Sequence, residues 1–232
     1  ESAWFHHYWS DILLNGTNNF VAEGFRDSGK TSLVIKGTPL HALAYPRKEK
    51  YYIVFLLNNS TLAQKRLQEI VEAYESNVDL SGNLIRTVEY KPSLGVYEAE
   101  VTDGEKNCLV RIEAYGKGAS IRGLSWKDLR PELIIIDDPQ DLDDVESDLI
   151  VDRDWDWFLS EVKFLGKDAR IFLIGNNLGE KCIVERCLAS KEILNFDGQR
   201  IPIADSAGDP PDVQILKSSW PERYSLDFII NE

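Results

Sequence analysis

The stretch "GFRDSGKTS" at residues 24–32 decides how this chain is read. Gly24 is followed by four variable residues, Phe25, Arg26, Asp27 and Ser28, and then by Gly29, Lys30 and Thr31. Every fixed position of G-x-x-x-x-G-K-[ST] is satisfied. Four fixed positions drawn from average composition coincide in a chain this long about one time in a hundred. The competing reading is a polar turn before a helix. The flanks favour a phosphate cradle. "NNFVAEG" (18–24) is a short apolar run that predicts a buried strand, and "KTSLVIKGTPLHALAY" from Lys30 predicts a helix whose middle is weakened by Gly37 and Pro39. In that order, the backbone N–H groups of 26–31 wrap phosphates, and the helix N-terminus supports their charge. Lys30 is placed to reach β- and γ-phosphates, and the Thr31 hydroxyl to bind Mg²⁺. The expected nucleotide-contact set is the whole of Gly24–Ser32.

A cradle of this kind needs a partner, an apolar strand ending in an acid of the metal shell. "LIIIDD" (133–138) supplies it. Asp137 is the expected Mg²⁺-shell carboxylate. Asp138 stands where an ATPase keeps the acid that activates water. Two solvated acids closing a strand are the alternative, weakened by the four apolar residues before them and by the glycine loop upstream. The acidic run "DDPQDLDDVESD" (137–148) lacks both the sixth-position glycine and the spacing of a calcium loop. His6 and His7 precede the first strand without a third ligand, so packing on a base or plain surface is expected of them rather than metal binding.

Further apolar runs recur along the chain. "YYIVFLL" (51–57) has no polar alternation, as expected in a parallel sheet covered on both faces. "NSTLAQKRLQEIVEAYES" (59–76) predicts a helix with Leu62, Leu67, Ile70, Val71 and Tyr74 inward and Ser60 as its cap. "LIRTVEY", "GVYEAEV" and "NCLVRIEAYG" between 84 and 116 predict strands, a β-rich excursion within the same domain. "SDLIVDRDWDWFLSEVKFLG" (147–166) predicts a helix with Leu149, Trp157, Phe158 and Val162 inside. "ARIFLIGNN" (169–177) is a fourth buried strand ending in a Gly-Asn turn, and "GEKCIVERCLAS" (179–190) a helix after it. From 197 onward the chain is Pro- and Gly-rich and extended. Alternating strands and helices indicate a doubly wound α/β fold with a mainly parallel sheet.

Composition sets limits on function. The chain has 232 residues, 43% hydrophobic and 28% charged, enough for one α/β domain with a sizeable core. No run of 18 apolar residues exists, no signal peptide is visible, and no membrane role is expected. The opening "ESAWFHHYWSD" and the absence of Met suggest a trimmed chain. Cys108, Cys182 and Cys187 have no metal-ligand spacing and read as small core residues in a reducing compartment. A net charge of −13 argues against general nucleic-acid binding. Contacts to DNA would be confined to "YPRKEK" (45–50) and "KGASIRGLSWKDLR" (117–130).

Taken in order, "GFRDSGKTS", "YYIVFLLNNSTLAQKRLQEI", "GKGASIRGLSWKDLRPELIIIDDPQD" and "RIFLIGNN" resemble the ATPase domain of the large terminase subunit, the motor that packages DNA into viral capsids. Arg26 is similar to the arginine inside that family's Walker A loop. "SIRG" running into "RPELIIIDD" resembles its arginine-glycine element and Walker B. "FLIGNN" resembles its coupling motif, and "SSWPERYSLDFI" (218–229) the segment leading into its nuclease domain. The resemblance implies a three-layer P-loop NTPase fold of the additional-strand type over 1–205, with 206–232 an extended segment leading toward a nuclease domain beyond this chain. It implies ATP and Mg²⁺ as cofactors. The catalytic set is then Lys30, Asp138, Arg26, Arg122 and Asn176, and the metal set Thr31 and Asp137. Arg122, flanked by Gly118 and Gly123, is expected to act in trans and Arg26 in cis. The implied partners are double-stranded DNA, the portal protein, the small terminase subunit and further copies in a ring, with the isolated domain monomeric. The implied location is the infected host's cytoplasm, docked on the procapsid. Two positions depart from the family pattern. Asp138 replaces the usual Glu, which leaves Glu146 as an alternative base, and Asn176 replaces the usual Thr or Ser. A helicase-like or remodelling ATPase and a nucleotide-binding scaffold without turnover remain the alternatives.

Overall fold

A computed structural model of the chain describes residues 2–165, 169–206 and 216–231. The chain starts with helix α1 (Trp4–Asn15) and continues into β1 (Asn19–Gly24). After the glycine loop a π-helical stretch (Ser32–Gly37) runs without interruption into α2 (Thr38–Ala44). The widened turn has a local cause. Pro39 has no N–H to give, and the Thr38 N–H reaches back to the Leu33 carbonyl instead.

β2 (Lys50–Leu57), α3 (Ser60–Ser76) and the short α4 (Val78–Ser81) follow. The cap of α3 is Asn59, not the expected Ser60. Its side chain accepts from the Leu62 N–H at 2.9 Å, an interaction that stabilises a helix by about 1 kcal/mol. β3 (Leu84–Lys91), β4 (Val96–Thr102) and β5 (Asn107–Gly116) form the β-rich region. It is no separate layer, because β5 runs parallel to β2 in the central sheet while β3 and β4 extend that sheet antiparallel.

β6 (Leu133–Asp137), α5 (Leu142–Val145), α6 (Asp148–Trp157) with its π-helical extension (Phe158–Val162), and β7 (Arg170–Gly175) complete the middle of the chain. Trp157, Phe158 and Val162 are buried as expected, but Leu149 is 81% exposed. The inward stripe of α6 passes through Val151 and Asp154 instead, three and six residues after Asp148 rather than one. α7 (Ile183–Ala189), α8 (Lys191–Leu194), β8 (Phe196–Ile201), β9 (Ala204–Ser206), β10 (Leu216–Ser218) and α9 (Leu226–Asn231) end it. Of the expected extended segment, residues 207–215 lie outside the described residues, and 216–231 are not extended throughout but form β10, a turn closed by the Tyr224 N–H on the Trp220 carbonyl, and α9.

The central sheet has the order β3-β4-β5-β2-β6-β7-β1-β8, and every pair from β5 to β8 is parallel. Alternate residues of β2 feed opposite cores. Ile53 and Phe55 pack with α1, α2 and α3, while Tyr52, Val54 and Leu56 pack with the α6 and α7 side. This is the expected three-layer α/β sandwich, with apolar strands because both faces are covered. β7 lies between β1 and β6, the additional strand that separates the glycine-loop strand from the acid-bearing one. Among the described residues no helix is long and apolar enough to cross a membrane.

Candidate nucleotide site

The three neighbouring strands β1, β7 and β6 end side by side, and each releases one part of the site at its C-terminal edge. β1 gives the glycine loop, β7 gives Asn176, and β6 gives Asp137 and Asp138. Crevices at the carboxyl ends of parallel strands are where open α/β sheets bind ligands.

The loop needs two left-handed backbone positions, Asp27 at φ 61° and Gly29 at φ 79°. Gly29 is required by space as well, since a Cβ there would sit 3.1 Å from His6 Nε2. Helix begins at Lys30, so its first N–H groups face the cleft. Beneath the loop, buried His6 accepts from the Ala3 N–H at Nδ1 (3.0 Å) and meets the Ser28 carbonyl at Nε2 (2.6 Å). Only the neutral Nε2–H tautomer satisfies both contacts. Burial lowers its pKa further, against the pull of the Ser28 carbonyl. His6 is therefore neither surface nor a base-stacking residue: it holds up the loop from below with both ring nitrogens engaged.

Arg26, Asp27, Lys30, Asp138 and Asn176 line one cleft of about 380 Å³ with Thr31 and Ser32. Lys30 is buried, and its ammonium donates to Asn176 Oδ1 at 3.0 Å and lies 3.4 Å from Asp138 Oδ2. Asn176 in turn donates to Asp138 Oδ1 from its backbone N–H (2.9 Å) and from Nδ2 (3.1 Å). Asp138 adopts φ 42°, a left-handed conformation that Asp tolerates better than most residues. Its N–H is tied to the Ile174 carbonyl at 3.0 Å, which turns the carboxylate toward the cleft mouth.

Asp137 lies deeper, only 2% exposed, and its Oδ1 has no hydrogen-bond partner. Burial raises its pKa, the Asp138 charge raises it further, and a hydrogen bond from Thr31 and the Lys30 charge oppose the rise. A buried carboxylate oxygen without a partner, beside a threonine hydroxyl and at the edge of a phosphate cradle, is a hard-oxygen donor set that fits Mg²⁺. Phe25 and Ser28 contribute to the floor of the loop, and Gly24 is held close to Trp9 and Ser28.

Two residues named from sequence lie elsewhere. Arg122 is exposed and does not line the cleft. Its N–H and that of Ile121 donate to Glu161 Oε2, both at 3.0 Å. Glu146 is exposed just after α5 and is also outside the cleft lining. One lining residue was missed, Arg223. It sits 193 positions after Lys30 with no motif spacing to mark it, and only the fold brings it to the loop.

No protein-family model matches the chain, and no curated protein does. Solved structures do resemble it. The HK97 bacteriophage large terminase superposes with a TM-score of 0.54 at 18% identity, over 88% of this chain and 40% of that one. The large terminase of a thermophilic bacteriophage, in complex with ATP-gamma-S, gives 0.54 at 9% identity, over 87% and 45%. A point variant of the Thermus phage P74-26 large terminase ATPase domain gives 0.57 at 12% identity, over 91% and 83%. The chain thus spans less than half the length of the first two proteins and most of the isolated ATPase domain of the third. With β7 inserted between the glycine-loop strand and the acid strand, the chain has the P-loop fold of a large-terminase ATPase domain.

Proposed function

We propose that this chain is the ATPase motor domain of a viral large terminase, which hydrolyses ATP with Mg²⁺ to drive double-stranded DNA into a procapsid. The observation that carries the reading is the Lys30–Asn176–Asp138 constellation, set in a cleft floored by the glycine loop. ATP supplies the transferable phosphoryl group, and Mg²⁺ held through Thr31 and Asp137 supplies charge neutralisation. Lys30 contributes a fixed positive charge at the loop. Asp138 is the proton acceptor for water, and Asn176 fixes its carboxylate through two donated hydrogen bonds. Because the Asn176 amide joins Lys30 to Asp138, a change at the lysine is felt at the base. Arg26, on the cleft lining, acts on the same nucleotide. Arg122, exposed and outside that lining, acts across a subunit interface as the arginine finger.

The wider assignment rests on the fold and the sequence resemblance together. Copies of the chain form a ring on the portal during packaging, with the small terminase subunit as partner, in the cytoplasm of the infected cell. A net charge of −13 opposes DNA binding and is compatible with it only if a ring grips DNA through few contacts per subunit, or if the nuclease domain carries most of them. Residues 206–232 lead onward to a nuclease domain, and nuclease activity is not expected of residues 1–232.

Phosphate release from Mg-ATP tests the reading, with and without double-stranded DNA and portal. Slow release that Lys30→Ala abolishes, and that assembly accelerates, supports it. A parent protein that binds Mg-ATP and releases no phosphate in either condition is a scaffold. For the finger, Arg122→Ala and Lys30→Ala subunits are each inactive, and mixing them on the portal restores part of the activity.

A further inference from the structure

The segment that follows β10 does not leave the domain at once. Ser219 donates to the Ile203 carbonyl at 3.0 Å, and the Tyr224 N–H closes a turn on the Trp220 carbonyl at 2.8 Å. Trp220 is buried against the underside of the glycine loop. Its ring meets His6 edge-on at 4.7 Å and Phe5 at 6.2 Å, and its Cζ3 lies 3.9 Å from where a Cβ on Gly29 would stand. Tyr224 packs edge-on against Phe25 of the loop at 5.6 Å, and its hydroxyl lies 3.4 Å from the Asp27 carbonyl. Residues 218–224 are thus seated on the loop itself, through Phe25, Gly29 and the histidine that supports Ser28.

The turn places Arg223 on the cleft lining beside Arg26 and Lys30. The guanidinium lies over the rings of Trp220 (5.2 Å) and Tyr224 (5.5 Å), and among the described residues it makes no ion pair or side-chain hydrogen bond. Arg66, Arg86, Arg111, Arg186 and Arg200, by contrast, each hold a carboxylate. Stacking on two rings fixes the direction of the guanidinium and leaves its N–H edge free for an anion.

We propose that Arg223 is a polyphosphate-binding residue of the cleft, and that residues 218–224 form a clamp whose docking on the loop is tightened by the nucleotide it reads. This rests on the reading of the cleft as an ATP site and adds to it a contact from outside the P-loop, Walker B and coupling motifs. Linkage makes the coupling reciprocal. If Arg223 binds the phosphates only in the docked clamp, then nucleotide stabilises docking by the same factor that docking tightens nucleotide.

The test is calorimetry of the full chain with Mg-ATP, Mg-ADP and AMP, on the parent, Arg223→Ala and Arg223→Lys. Arg223 is exposed, so equal melting temperatures are expected in the three proteins. Arg223→Ala should weaken Mg-ATP binding about tenfold or more, the scale of a hydrogen bond to a charged group, and leave AMP binding within about twofold. Arg223→Lys should recover part of the loss, since it keeps the charge and loses the fork. Amide hydrogen exchange over 218–229 should slow with Mg-ATP in the parent and respond less in Arg223→Ala. Unchanged Mg-ATP affinity in Arg223→Ala overturns the contact, and equal losses for ATP and AMP overturn the polyphosphate reading. Exchange over 218–229 that ignores nucleotide overturns the clamp. A folded parent that binds no nucleotide overturns the ATP site and this proposal together, whereas a parent that binds ATP while Arg223→Ala is silent removes only the latter.

Discussion

Asn176 holds Asp138 by two hydrogen bonds to a single carboxylate oxygen, Oδ1, at 2.9 and 3.1 Å, and leaves Oδ2 turned toward Lys30. One residue just after β7 therefore fixes both the Asp138 carboxylate and the Lys30 ammonium. Asp138→Asn should keep Mg-ATP affinity within about threefold and lower turnover by about 10²–10⁴, the usual loss of a general base. Asn176→Ala should lower turnover by a similar order with binding retained, because the carboxylate loses its orientation. Single-turnover phosphate release alongside calorimetry checks both. A parental rate in Asp138→Asn would move the base elsewhere, and Glu146→Gln would then be the next variant to measure.

Lys30 and Asp137 should separate by what they bind. Lys30→Ala is expected to weaken Mg-ATP binding about 10–100-fold and to abolish hydrolysis, because the buried ammonium of the cradle is gone. Asp137→Asn should lose Mg²⁺-dependent turnover without losing stability. Burial penalises the Asp137 carboxylate in the absence of a cation, so its neutral isostere removes a cost. A melting curve without nucleotide and a Mg²⁺ titration of activity check the pair. A lower melting temperature in Asp137→Asn would contradict the assignment.

The support beneath the loop should be acid-labile. Burial holds the His6 pKa below the ordinary imidazole value in the folded chain. Between that lowered value and about 6.5 the unfolded chain binds the proton more readily, so stability rises with pH there and is lost as the pH falls. His41 is lowered too, by burial and by Arg47, and contributes in the same direction. The parent should therefore lose more melting temperature between pH 7.5 and 5.5 than His6→Gln does. Equal losses would show that His6 does not titrate with folding.

The inward face of α6 gives a test of packing. Leu149→Ser should change stability by no more than about 0.5 kcal/mol, since the side chain is 81% exposed. Val151→Ala, at a fully packed position, should cost about 1–3 kcal/mol. Urea unfolding of the two variants decides which residue faces the sheet.

Local signals carried the central strands, the glycine loop and the acid pair, because each is a short pattern with its own cause. Four or more consecutive apolar residues mark a strand covered on both faces, and G-x-x-x-x-G-K-[ST] encodes its own backbone requirement in Gly29 and its own charge in Lys30. These patterns mark the α/β class, Lys30, Thr31, Asp137 and Asp138, whereas Asn176 is marked only by the resemblance of "FLIGNN" to a coupling motif. The helix cap was misplaced by one residue, since Asn59 and Ser60 are both good caps and only the hydrogen bond to Leu62 distinguishes them. Leu149 was misplaced because hydrophobicity alone does not say where a helix begins its inward stripe. The additional strand between β1 and β6 was implied by the resemblance, but tertiary structure alone set Asn176 between Lys30 and Asp138. It alone put His6 beneath Ser28 and carried Arg223 back to the loop. These contacts join residues far apart in the chain, and no local propensity records them. They exist because burying Trp220 and the aromatic face of α1 against the glycine loop removes apolar surface from water, and the polar groups follow where that burial carries them.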